Sequence, residues 1–170
     1  MRIKPIFIIL AAILTLFCQL TIFRFMTVFS IKPDLMLFWV VICSFYLPLI
    51  TALFTNYFLG IMVDITSNST LGVFGFLYLM SGLVIFLLYQ LFFSEDVITR
   101  TSIAFSAVYL CHFIYGLGLW IFKDALGFWF VVFKSLGIAF YTTLIVFLIF
   151  LVIDRINIYL IARRLKEELE

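Results

Sequence analysis

Five stretches of this chain carry no charged side chain: 5–23, 35–63, 65–94, 101–122 and 135–153, which are 19, 29, 30, 22 and 19 residues long. A bilayer's hydrocarbon core of about 30 Å is crossed by about 20 apolar residues in a helix rising about 1.5 Å per residue. Backbone amides in lipid have to pair within their own segment, so each stretch is expected to be helical. The alternation of an outer-membrane barrel is missing, since Ile6–Leu14 and Leu144–Ile153 are apolar on every face. Composition points the same way: 66% of the residues are hydrophobic and 12% charged, against about 45–50% and about 25% in soluble domains. Twenty charged side chains cannot cover a globule of 170 residues. A soluble enzyme, a disordered tail and a disulfide-stapled secreted module are therefore excluded. The net charge of +2 gives nucleic acid no basic surface to meet.

Two of the stretches are too long for one crossing. Residues 65–94 open with the polar run Thr66-Ser67-Asn68-Ser69-Thr70, which leaves a helix from about Leu71 to Phe93. Residues 35–63 as one helix would measure about 43 Å. Pro48 removes a backbone donor and disfavours helix at Leu47, which predicts a break there. Six spans put both termini on one side with Arg2, Lys4, Arg100, Arg155, Arg163, Arg164 and Lys166, and leave Arg24, Lys32, Lys123 and Lys134 on the other. Five spans put the larger basic set outside, against the positive-inside trend. The fold expected is a compact all-α bundle of six transmembrane helices, with five as the alternative. The spans are about 5–23, 34–47, 49–64, 71–93, 101–122 and 129–153, in a membrane domain over residues 1–153. The charge-rich segment 154–170 reads as the last helix running on into the cytoplasm. It is either a solvated tail or a docking helix striped by Ile156, Leu160 and Leu165.

Met1-Arg2-Ile3-Lys4 before an apolar run looks like a secretory leader. The run exceeds a usual leader core, and bulky Leu20-Thr21-Ile22-Phe23 offers no cleavage site, so an uncleaved first span is expected. Cys18, Cys43 and Cys111 stand singly inside apolar stretches, as small buried hydrophobes do, without metal-ligand spacing. No metal, cofactor or nucleophile–base pair is expected.

Charged groups at membrane depth are the first candidates for a function. Asp64 ends the third span beside the polar loop 66–70, where its carboxylate can accept from the loop's hydroxyls and amides and tie the third helix to the fourth. Asp34 follows Pro33 at the start of the second span, as suits a helix N-terminus. His112, the only histidine, is expected to make an interhelical hydrogen bond. Lys134 can snorkel to the headgroups. All eight glycines lie in or beside the last four spans. Gly60 shares a helix face with Asp64, and Gly75 shares one with Gly82. Small residues let helices approach closely in lipid, which predicts tight packing of the third, fourth and fifth helices. The bulkier first helix would lie at the periphery.

Pro33-Asp34-Leu35, then Gly60-x-x-x-Asp64 and Ser67-Asn68-Ser69-Thr70-Leu71-Gly72, resemble the MreD family, the rod-shape-determining membrane proteins of bacteria. The resemblance follows length and span order along nearly the whole chain, and its specific part is residues 33–72. The chain departs from the family pattern at Asn56 and at Asn68, where MreD proteins usually or often carry glycine. The resemblance implies a non-enzymatic component of the cell-elongation machinery in the cytoplasmic membrane, without a cofactor. It would work with an MreC-like single-span protein, the actin-like MreB filament and the peptidoglycan polymerase and transpeptidase. The structural or partner-binding candidates are Pro33, Asp34, Gly60, Asp64, Gly72 and Gly75. A six-helix bundle of this kind is also similar to the substrate-binding subunits of energy-coupling-factor transporters. The alternative function is thus a vitamin carrier with Asp64, Asn56 and the Ser/Thr loop at its ligand.

Overall fold

A computed structural model describes residues 10–11, 13–17, 32–67, 70–92, 96–123 and 127–167. Residues 10–11 and 13–17 are helical. Five further helices follow: α1 Leu35–Tyr46, α2 Leu49–Ser67, α3 Val73–Phe92, α4 Val97–Lys123 and α5 Phe128–Glu167. Among the described residues there is no strand. The leader-like Met1–Lys4, Cys18, Arg24, Asn68, Ser69 and the end of the charged tail (168–170) lie outside the described residues.

Among the described residues four helices are long and apolar enough to cross a membrane: Leu49–Ser67, Val73–Phe92, Val97–Phe122 and Phe128–Ile156. α1 has 12 residues, about 18 Å, shorter than the hydrocarbon core. It is enclosed by protein: nine of its residues, Leu35–Phe38 and Val40–Ser44, are buried, and α2, α3 and α5 pack on it. A helix that is apolar on every side can be buried on every side.

The chain reverses at Leu47-Pro48. Asn56 Nδ2 donates to Ser44 Oγ at 3.0 Å across 12 residues, a separation of about 18 Å along a continuous helix. Pro48 stands at the mouth of α2, where its missing N–H costs nothing, and its carbonyl accepts from Ala52 N at 2.8 Å. α2 and α3 run antiparallel, Gly60 lying against Phe74–Gly75 and Asn56 against Gly82. α4 and α5 do the same, from Arg100 beside Asp154 at 3.6 Å to Gly116 beside Val131.

α4 begins at Val97, four residues before the charge-free stretch 101–122. A boundary drawn at the first charge misses a charge that is paired. Arg100 faces Asp154 and lies over the Phe150 ring, 5.8 Å from its centroid. α5 likewise continues to Glu167. Large apolar side chains cover the outside, with Phe54, Phe58, Phe76, Phe133 and Phe140 all more than half exposed. Such a surface is suited to lipid and would be a liability in water.

Candidate functional site

Two aspartates organise the interior. Gly60 and Asp64 are one turn apart on α2 and share its face towards α3. A Cβ at residue 60 would collide with Phe74 O and stand 2.5 Å from Gly75 Cα, so only glycine allows the two backbones to approach this closely. That approach brings the Asp64 carboxylate to the first amides of α3. Oδ2 accepts from Gly72 N at 2.9 Å and Gly75 N at 3.2 Å, and Oδ1 accepts from Phe74 N at 3.1 Å. Gly72 has φ +96°, a left-handed conformation that glycine adopts freely. The first amides of a helix have no intrahelical acceptor, and its dipole favours negative charge there. Asp64, 1% exposed, thus caps a helix other than its own. Gly60, Asp64, Gly72 and Gly75 form a single joint.

The second node is at Asp34. Oδ1 caps α1 by accepting from Met36 N and Leu37 N, both at 3.0 Å. Oδ2 accepts from Tyr78 Oη at 2.8 Å, and Asp34 N donates to Thr142 Oγ1 at 3.0 Å. His112 Nε2 stands 3.3 Å from Oδ2, out of line for a hydrogen bond. One residue therefore reaches α1, α3, α4 and α5. Its depth follows from the helices around it. His112 is eleven residues before the end of α4, about 17 Å along its axis. Thr142 is fourteen residues into α5, about 21 Å along that axis. The carboxylate sits near mid-bundle. Desolvation there is costly and is offset only by such donors. Pro33, buried, precedes it.

A third polar contact lies between the nodes' helices. Asn56, 0% exposed, donates to Ser44 Oγ, which donates to Val40 O at 2.7 Å. A Cβ at Gly82 would overlap Asn56 Nδ2. Gly75 and Gly82 thus both face α2. Cys43 and Cys111 are buried and free. Among the described residues no three His, Cys, Asp or Glu side chains gather as a metal site. Asp64 and Asn56 are enclosed and line neither of two open grooves. One groove, ≈ 720 Å³, runs between Gly72 and Phe76 of the α3 end and Ile114 and Gly118 of α4. The other lies between α4 and α5.

The sequence reading places Asp34 at a helix start and expects an interhelical hydrogen bond from His112; the imidazole does come beside Asp34 on another helix but makes no hydrogen bond through Nε2, and the reading misses Tyr78 and Thr142. The signal was present. Each is a hydroxyl deep in an apolar helix, where lipid offers no partner, so each has to find one on another helix. Tyr78→Phe is expected to lower the unfolding free energy in detergent by about 1–2 kcal/mol, because one donor to a buried carboxylate is lost. Thermal denaturation at unchanged temperature would show that this hydroxyl adds nothing.

Compared with known protein families, with curated proteins and with solved structures, the chain finds no match. Its class is what the described residues define: they are helical, without a strand, and include four helices suited by length and composition to crossing a membrane.

Proposed function

We propose that this chain is a non-enzymatic scaffold of the bacterial cell-elongation machinery, similar to MreD. In this reading it is a six-span protein of the cytoplasmic membrane with both termini in the cytoplasm, and it maintains rod shape by holding an MreC-like single-span protein. The observation that carries the reading is where the resemblance's residues go. Asp34 and Asp64 each spend their carboxylate on helix amides, and Gly60 and Gly75 let the two helices meet. The shared motif thereby builds a rigid body, which is what a scaffold needs. The actin-like MreB filament and the peptidoglycan polymerase and transpeptidase would be engaged directly or through the MreC-like partner.

Depletion of the chain in its own cells, followed by microscopy, tests the cellular half of this reading, with rounding of rods expected. Purification of the tagged full chain from mild detergent tests the other half, with an MreC-like protein expected to co-purify. Rods that persist without the chain, or a purified chain that retains a vitamin and no membrane partner, would overturn the proposal in favour of a carrier subunit.

A further inference from the structure

We infer that the groove between α4 and α5 binds a transmembrane helix of another protein carrying a carboxamide side chain, Gln or Asn, near its midpoint. The groove is ≈ 380 Å³ and is lined by Ser102, Phe105 and Ser106 of α4 and by Phe140, Thr143 and Phe147 of α5. Ser102 and Ser106 are exposed and one turn apart, the small-residue spacing that lets a second backbone come close in lipid. Their hydroxyls donate to Ile98 O at 2.9 Å and Ser102 O at 3.0 Å, so their oxygens are left as acceptors. Thr143 supplies the complement. It is 6% exposed, and its hydroxyl is buried with no hydrogen-bond partner. Thr143 lines the groove, and because threonine in a helix divides between two χ1 rotamers, its unpartnered hydroxyl is free to change rotamer for a guest acceptor. One wall is stiffened by a ladder of Phe105, Tyr109 and Phe113, whose successive ring planes lie within 8° and 12° of each other.

Depth selects the occupant. Thr143 is fifteen residues into α5, about 23 Å, and eleven before Asp154, about 17 Å. Lipid ester and headgroup oxygens do not reach that level, and acyl chains offer no polar atom. A carboxamide offers both halves at once, its oxygen accepting from Thr143 and its NH2 donating to a serine oxygen. A second copy in a two-fold contact would set the same concavity against itself, with no ridge to fill it. The chain's own first helical segment is engaged elsewhere, Thr15 Oγ1 accepting from Trp39 Nε1 at 3.1 Å.

The test uses the full chain in phosphatidylcholine vesicles. It is titrated with a dansyl-labelled polyleucine peptide of about 23 residues bearing one central Gln, and with the same peptide bearing Leu there. Energy transfer from the chain's tryptophans reads binding. The Gln peptide is expected to bind about three- to thirty-fold more tightly. Thr143→Val, nearly isosteric, should erase that preference at an unchanged melting temperature. Ser106→Leu should abolish binding of both peptides and Ser106→Ala should not. Equal affinity for the two peptides, or a preference that survives Thr143→Val, would overturn the inference. So would a dimer of the chain that Ser106→Leu disperses. Co-purification of an MreC-like protein together with any of these results would remove the groove and leave the scaffold reading in place.

Discussion

Gly60→Leu is expected to abolish the folded bundle, and Gly60→Ala to cost about 2–4 kcal/mol. Adding atoms to a packed interior costs about 1–3 kcal/mol when side chains can shift. Here the obstacle is backbone: the new Cβ would meet Phe74 O, Gly75 Cα at 2.5 Å and Gly75 N at 2.6 Å, and none of these can rotate away. The helices would have to separate by about an ångström to restore ordinary contact. Separation draws the Asp64 carboxylate off three amides at once, because Gly60 and Asp64 ride on one face. The leucine side chain adds three more carbons to that wedge, which exceeds what a protein with a margin of about 5–15 kcal/mol can absorb beside the lost bonds. Size-exclusion chromatography and thermal circular dichroism in detergent read the outcome. Gly118→Ala is the control, since nothing lies within 4 Å of a Cβ there. Helix propensity makes it neutral or stabilising by up to about 1 kcal/mol. Gly60→Ala within 1 kcal/mol of wild type would show that the close approach is not needed.

What the sequence made legible is what local chemistry decides. Pro48 breaks the apolar run because the defect is in its own ring. Asp34 caps α1 because the amides that donate to its carboxylate are two and three residues on. The tie from Asp64 to the next helix was readable because a short polar loop left the carboxylate few other places to go. The Asp34 node was not readable as a whole, since Tyr78 and Thr142 are 44 and 108 residues away. Spacing along the chain carries no information about which of several apolar helices brings its one hydroxyl to that level. The start of α4 was misjudged for a related reason. Charge marks a boundary only while unpaired, and Asp154, 54 residues downstream, pairs Arg100. Asn56, where the resembled pattern carries glycine, packs against Gly82 of the opposite helix, so the small residue that lets the two helices approach at this level stands on α3.

Asp64→Ala is the second large effect. It leaves Gly72, Phe74 and Gly75 N–H without their acceptor, the latter two in buried bonds and the first in a half-buried one. Each stranded buried donor costs about 1–3 kcal/mol, and the favourable charge at the α3 N-terminus is lost as well. Rearrangement of the first turn recovers part of this, so a net loss of about 3–5 kcal/mol is expected, the range for removing one partner of a buried charged contact. Asp64→Asn has the same shape and still does not restore the joint. Its carbonyl can keep the pair on Oδ2, Gly72 and Gly75, but its NH2 then faces the Phe74 N–H donor to donor. It should fall about midway between alanine and wild type. Denaturation in detergent gives the free energies, and amide hydrogen exchange locates the damage. Protection should collapse at residues 72–75 before it changes in α1, because the capped turn opens first when its acceptor is gone. A variant that unfolds within 1 kcal/mol of wild type with those amides still protected would mean that the carboxylate does not hold the two helices together, and the joint would have to be assigned to the glycines alone.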